Sequence, residues 1–212
     1  RMAKKIRAVA RQRAEALSVL DGQIAKLVQT LRQTGELSNT VLMFTSDNGF
    51  FLGEHRKPQG KVINYEPALR VPLALAGPGI PVGERRYDPI STMDLTATIT
   101  AMAGASTLMA DHHDPDGSSR LGVIRNGDIG WRHPQLTESV LGSLTDRNKA
   151  PGFGVRSQIG IRTARYQYTR NAGDRTELYD LLKDPNELSN VSGDAAYAGV
   201  EDQLAALWAD LK

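Results

Sequence analysis

The sequence contains no cysteine among its 212 residues. This absence excludes disulfide bonds, thiolate metal sites and a cysteine nucleophile within the chain. It leaves the compartment open, because a cysteine-free chain folds in oxidising and in reducing surroundings.

The sequence also lacks a strong charge excess and a long hydrophobic run. Lys and Arg number 26 against 24 Asp and Glu, a formal net charge of +2. Such a balance argues against a dedicated nucleic-acid partner. Apolar runs such as residues 41–44 fall far short of the roughly 20 residues that a membrane-spanning helix needs. We therefore expect neither a nucleic-acid nor a membrane partner.

The first half of the chain alternates predicted helices and strands. Leucine and isoleucine recur at helical spacing in residues 3–34, which predicts an amphipathic helix that ends at Gly35. Residues 40–45 and 71–76 predict short strands, the first apolar enough to be covered on both faces, and residues 93–103 predict a helix. This order is typical of an α/β domain.

The second half has a different pattern. Four short apolar-polar segments predict an antiparallel sheet, and residues 195–211 predict a closing helix. We therefore expect an α/β part over residues 1–105, connecting loops over 106–134 and a small antiparallel subdomain over 135–212. Within the loops, residues 111–114 read Asp-His-His-Asp, which is either a metal site or a surface loop.

The stretch from Phe44 to Lys61 contains the candidate functional residues. The first predicted strand delivers Asp47 and Asn48 at its carboxyl end, the edge where open α/β sheets bind ligands. Adjacent Asp and Asn oxygens suit a hard cation such as Ca²⁺ or Mg²⁺. Together with the cation, the Lys61 charge would hold a tetrahedral oxyanion. The alternative is an ordinary turn with a solvated lysine.

Several motifs occur in a fixed order along the chain. They are Asp47-Asn48-Gly49, Leu52-Gly53-Glu54-His55, Gly60-Lys61, Tyr65-Glu66, Arg70-Val71-Pro72-Leu73, Gly77-Pro78-Gly79, Glu177-Leu178-Tyr179-Asp180-Leu181 and Asp184-Pro185-Asn186-Glu187-Leu188. In this order they resemble the second half of sulfatases, in the alkaline-phosphatase-like superfamily. The step from Asp47 to Lys61 is similar to that of carbohydrate 6-sulfatases. The resemblance implies the carboxy-terminal part of a mixed-sheet domain, followed by a small antiparallel subdomain.

The resemblance assigns roles to four residues. It implies that Asp47 and Asn48 are metal ligands for Ca²⁺ or Mg²⁺ and that Lys61 contacts the sulfate. His55 would border the pocket as a second catalytic candidate. Tyr65 and Glu66 resemble packing and loop-anchoring positions.

One family feature is missing from the chain. Sulfatases use a formylglycine made from the first residue of a Cys/Ser-x-Pro-x-Arg motif, and no Cys, Ser or Thr stands two residues before any of the ten prolines. No Asp-Asp pair supplies the family's early metal ligands either. We therefore expect a carboxy-terminal portion that contains no nucleophile and is inactive alone. Its partners would be its missing amino-terminal half or another copy of the chain.

The resemblance predicts a sulfuric ester hydrolase acting on a sulfated small molecule or carbohydrate. One alternative is a phosphonate or phosphate monoester hydrolase of the same superfamily, although those enzymes often pair Asp with His where this chain has Asn48. The other alternative is a non-catalytic interaction module or a relic fragment.

Overall fold

The computed structural model describes residues 2–105, 117–130, 134–141, 156–171 and 175–210. The 111–114 motif lies outside these residues. The chain forms two compact units, the first two residues aside: Ala3–Asp47 with Pro72–Arg132, and Asn48–Val71 with His133–Lys212. The sequence-based boundaries at residues 105 and 135 stay a prediction.

The helices and strands follow the predicted order. They are α1 (Met2–Thr34), β1 (Leu42–Thr45), α2 (Glu66–Leu69), β2 (Leu73–Ala76), α3 (Thr92–Met102), α4 (Leu121–Asn126), β3 (Gln135–Leu141), β4 (Arg156–Arg162), β5 (Tyr166–Asn171), β6 (Arg175–Asp180) and α5 (Ala198–Asp210).

Helix α1 forms as predicted and stops before Gly35, whose φ of 80° is left-handed. None of its residues is buried, and its apolar face is open, with Leu17 56% and Leu27 52% exposed. In the described part of the chain, no helix combines the length and the apolar character needed to cross a membrane.

Strand β1 pairs antiparallel with β2, with Phe44 opposite Ala74. The expectation that this strand is covered on both faces is wrong for the described residues, since Phe44 remains 40% exposed. The reason is that β2 is its one described partner strand, so little surrounds either face. Gly77 is required where β2 ends, because a Cβ there would lie 2.5 Å from the Thr40 carbonyl oxygen.

The amino-terminal end of α3 is held by the buried Asp94. Its side chain and that of Ser91 form a reciprocal capping box. Asp94 also accepts hydrogen bonds from the backbone of Ser118 at 2.9 Å and from Arg120 Nε at 3.0 Å. These donors outweigh burial and lower the pKa of Asp94. One carboxylate therefore caps a helix and fastens the segment that leads into α4.

The second unit contains an antiparallel sheet in the order β3-β4-β5-β6. Ile161, Tyr168 and Leu178 lie side by side on one face and pack against Leu204 of α5. The predicted antiparallel sheet with a closing helix is confirmed. Because side chains alternate along each strand, the opposite face carries mainly polar residues. These are Thr137, Gln158, Gln167, Thr169, Asn171 and Glu177.

Candidate functional site

Asp47 lies two residues beyond the end of β1 and is exposed. The Ser46 hydroxyl donates to its Oδ1 at 3.5 Å. An exposed carboxylate at a strand end is accessible to an ion or ligand.

Asn48 and Lys61 are brought together in the second unit. Lys61 Nζ donates to Asn48 Oδ1 at 2.7 Å, and Asn48 Nδ2 donates to the carbonyl of Gly49 at 2.8 Å. The second bond orients the amide so that its oxygen faces the ammonium. Two residues that the sequence assigned to one site, thirteen positions apart, are therefore in direct contact.

Gly49 permits a close approach between two backbone segments. Its N–H donates to the carbonyl of Ala68 at 2.8 Å, and a Cβ at this position would lie 2.1 Å from the carbonyl oxygen of Pro67. No side chain fits there. Gly49 thus packs against α2, a contact that an ordinary surface turn does not require.

The loop between Asn48 and Lys61 closes on itself. The Phe51 N–H donates to the carbonyl of Gly60 at 2.8 Å, and the Phe51 ring is buried. Gly60 has a φ of 134°, a conformation that side-chain-bearing residues rarely adopt. The residue that precedes Lys61 is therefore held by a hydrogen bond to a buried aromatic residue.

His55 occupies an unusual backbone conformation. It and Arg56 have φ values of 50° and 58°, and left-handed non-glycine residues cost about 1–3 kcal/mol each, a strain that clusters at functional sites. The imidazole stacks on the Tyr65 ring with centroids 4.0 Å apart. Burial lowers the pKa of His55, although nearby carboxylates, Glu177 foremost, oppose the shift. Its Nε2 is buried and makes no hydrogen bond within the described residues.

Three consecutive residues after Lys61 attach the loop to the polar face of the sheet. The Asn64 backbone N–H donates to Gln158 Oε1 at 2.9 Å, and the Tyr65 hydroxyl donates to Glu177 Oε2 at 2.8 Å. Glu66 pairs with Arg162, whose Nε lies 2.6 Å from Oε1. The sequence interpretation of Tyr65 and Glu66 as anchoring positions agrees with these contacts.

Glu187 fixes the same segment from the chain's tail. It is 1% exposed, and its Oε2 accepts the Glu66 backbone N–H at 2.8 Å. Its Oε1 has no hydrogen-bond partner among the described residues. Burial raises the pKa of Glu187 to about 8, so the carboxyl is mostly protonated at neutral pH.

A cavity of about 270 Å³ lies beside His55. Glu54, Glu66 and Leu188 also line it. The cavity therefore borders the predicted catalytic histidine rather than the Asn48–Lys61 pair.

The donor atoms fit a hard cation only in part. Asp47 offers an exposed carboxylate and Asn48 an amide oxygen that already attracts the Lys61 ammonium. Both are ligands of the kind that Ca²⁺ and Mg²⁺ take. Within the described ranges, however, no cluster of three or more His, Asp or Glu could hold a metal ion. Asp47 and Asn48 would thus be only part of a coordination sphere.

Sequence reasoning missed the residues that hold the loop in place, namely Asn64, Gln158, Asn171 and Glu177. The available signal was the partial alternation in β4 and β5, which places on one face Gln158, Arg162, Gln167, Thr169 and Asn171. That alternation predicts a polar face, but it does not name the partner of each residue.

Comparisons with known proteins agree with the motifs. The family model for sulfatases matches residues 3–105. An arylsulfatase from Chlamydomonas reinhardtii is 31% identical over 212 residues, covering 90% of this chain and 32% of the relative. The chain spans about a third of the length of the curated relatives it matches.

Solved structures show the same similarity. A protein in complex with its substrate D-glucosamine-2-N,6-O-disulfate is 29% identical, with a TM-score of 0.76 over 92% of this chain and 38% of that one. The phosphonate monoester hydrolase of Agrobacterium radiobacter is 28% identical, with a TM-score of 0.70 over 90% of this chain and 39% of that one. These similarities confirm the alkaline-phosphatase-like fold class. The chain therefore contains a sulfatase-family domain over residues 3–105, and sulfatase relatives align with about nine tenths of its length.

Proposed function

We propose that this chain provides the sulfate-holding part of an enzyme that hydrolyses sulfate esters. The observation that carries the proposal is the 2.7 Å contact between Lys61 Nζ and Asn48 Oδ1. The contact places a positive charge beside an oxygen ligand in a sulfatase-family chain. An ordinary turn with a solvated lysine requires no such contact.

The side chains have separate roles in the proposed reaction. Asp47 and Asn48 would hold Ca²⁺ or Mg²⁺, which when bound polarises the sulfate oxygens. The compact ammonium of Lys61 offsets negative charge on the sulfate and on the departing oxygen. Because that charge grows as the ester bond breaks, the ammonium stabilises the transition state more than the bound substrate.

The nucleophile is proposed to come from outside this chain. The sequence has no cysteine, and its prolines lack the preceding Cys or Ser of the formylglycine motif. An amino-terminal half of the sulfatase fold would supply the nucleophile, whereas another copy of the chain, which has the same sequence, could only cover exposed apolar surface. The exposed apolar face of α1 is consistent with a need for such a partner.

The proposed substrate class is a sulfated carbohydrate. The support is the similarity to a protein solved with its substrate D-glucosamine-2-N,6-O-disulfate. A second candidate is phosphonate monoester hydrolysis, favoured by the similarity to the Agrobacterium radiobacter enzyme.

The test is the activity of this chain combined with a nucleophile-bearing amino-terminal half of a sulfatase. With 4-nitrophenyl sulfate, Lys61→Ala should lower kcat by about 10²–10³-fold, the usual loss for one preorganised donor. Lys61→Arg should rescue poorly, because a planar guanidinium does not place its charge where a compact ammonium does.

Lys57 supplies the matched control for this test. It lies in the same loop and is exposed, and its described hydrogen bonds are both made by its backbone, to the Glu54 carbonyl and from the Gly53 N–H. If Lys57→Ala and Lys61→Ala both kept kcat within about twofold, the role of Lys61 would be wrong. Faster turnover of a phenylphosphonate ester than of the sulfate would favour the second candidate.

A further inference from the structure

The residues after Lys61 belong to a closed ring of hydrogen bonds, here called the polar ring. It runs from the Asn64 N–H to Gln158 Oε1 at 2.9 Å and from Gln158 Nε2 to Asn171 Oδ1 at 2.6 Å. It continues from Asn171 Nδ2 to Glu177 Oε1 at 3.0 Å and from the Tyr65 hydroxyl to Glu177 Oε2 at 2.8 Å. The peptide bond between Asn64 and Tyr65 closes it.

The direction of every bond in the polar ring is determined by Glu177. Its carboxylate only accepts hydrogen bonds and takes the hydroxyls of Tyr65 and Tyr179 on Oε2. Asn171 must therefore present Nδ2 to Glu177 and Oδ1 to Gln158. Gln158 must in turn present Nε2 to Asn171, which leaves Oε1 facing the Asn64 N–H. Neither amide can rotate without breaking two bonds.

The segment that carries Lys61 is consequently fixed on both sides. On the amino-terminal side, Gly60 is bonded to the buried Phe51. On the carboxy-terminal side, Asn64 is 3% exposed, and its Nδ2 also donates to the carbonyl of Thr137 at 3.1 Å. Only two residues separate Lys61 from Asn64, so its backbone has little freedom.

We propose that Gln158 is a positioning residue that holds Lys61 against Asn48 through Asn64. The inference rests on the proposed function of Lys61. It deepens that proposal by naming the polar face of the antiparallel sheet as the structure that holds the Lys61 ammonium in place. Gln158 lies in β4, 97 positions after Lys61 in the chain. Its amide has both the acceptor for Asn64 and the donor for Asn171.

The first test is amide hydrogen exchange by mass spectrometry on the full chain. Gln158→Leu should speed exchange in peptides covering residues 61–65 by about tenfold or more, because the Asn64 N–H loses its acceptor. Exchange around Tyr168, on the apolar face, should stay unchanged. Gln158→Glu keeps an acceptor for Asn64 and should restore part of the protection. If Gln158→Leu does not fold, exchange in residues 61–65 that is faster in Gln158→Glu than in wild type still supports the proposal.

Ser139→Ala is the matched control. The Ser139 hydroxyl donates to the same Gln158 Oε1 at 3.3 Å and has no described bond to Asn64. This variant should change exchange in residues 61–65 by less than about twofold. Equal exchange in wild type, Gln158→Leu and Gln158→Glu would overturn the proposal.

The second test is a double-mutant cycle in the reconstituted enzyme. Gln158→Leu should lower kcat about tenfold when Lys61 is present and less than about twofold in a Lys61→Ala background, because Gln158 acts through that ammonium. An equal loss in both backgrounds would mean a general structural role and overturn the proposal. If Lys61→Ala alone left kcat unchanged, the proposed function would fail, while the exchange result would still decide whether Gln158 positions the segment.

Discussion

Glu187 should make the stability of the protein fall as pH rises. The carboxyl is 1% exposed, and its pKa is raised from an ordinary 4.5 to about 8. Between these two values the folded protein keeps a proton that the unfolded chain has released. The folded state therefore binds more protons in this interval, and the free energy of unfolding decreases with increasing pH until about pH 8.

The size of the effect follows from linkage. At about 1.4 kcal/mol per pH unit, the interval from 4.5 to about 8 corresponds to an upper bound of about 5 kcal/mol. Relaxation and water penetration reduce the penalty of a buried charge, so we expect a measured loss of about 2–4 kcal/mol. Asp184 and Glu66 add repulsion to the ionised form, while Arg162 offsets part of it.

The assay is urea unfolding from pH 5 to 8.5, compared between wild type and Glu187→Gln. Trp208 packs against the core and reports unfolding by fluorescence when the other tryptophan, Trp131, is replaced by Phe. Gln keeps an acceptor for the Glu66 N–H and cannot ionise. The stability difference should therefore move in favour of the variant by about 2–4 kcal/mol with increasing pH. Parallel curves for the two proteins across this range would refute the reasoning.

Three further predictions concern the chain alone. With the apolar face of α1 open, the chain should self-associate in size-exclusion chromatography, and a monodisperse monomer would contradict this. Calorimetry should find Ca²⁺ binding at millimolar strength or weaker, because Asp47 and Asn48 supply too few of the roughly six to eight oxygens that the ion takes; micromolar affinity lost in Asp47→Ala would overturn that expectation. Gly49→Ala should destabilise the protein by about 3 kcal/mol or more, whereas Gly122→Ala, where a Cβ meets nothing within 4 Å, should be neutral or stabilising in the same unfolding assay.

Local patterns were sufficient to predict most elements. Helix α1 has the 3.6-residue spacing of apolar side chains, and Gly35 marks its end. The alternation in β5 places Tyr168 on the apolar face and Gln167 on the polar face. These features depend on neighbours within a few residues, so a single sequence contains them.

The exposure of β1 and the contacts of the loop were less predictable. Whether Phe44 is covered depends on how many strands surround β1, which its own residues do not determine. The bond from Asn64 to Gln158 joins positions 94 apart, and no local pattern pairs them. The left-handed conformation of His55 was also hidden, because His55 is not a glycine, the residue type that usually marks a positive φ. The pattern of residues placed Asn48 and Lys61 in one candidate site but left an ordinary turn as the alternative, and the resemblance to sulfatases favoured the shared site.

The two faces of the antiparallel sheet limit which sequence changes the strands can accept during evolution. Inserting one residue into β5 would exchange its faces, so that Tyr168 and Gln167 would trade places. The hydrophobic core and the support of Lys61 would fail together. Selection for a folded protein therefore also preserves the scaffold beneath the charged loop.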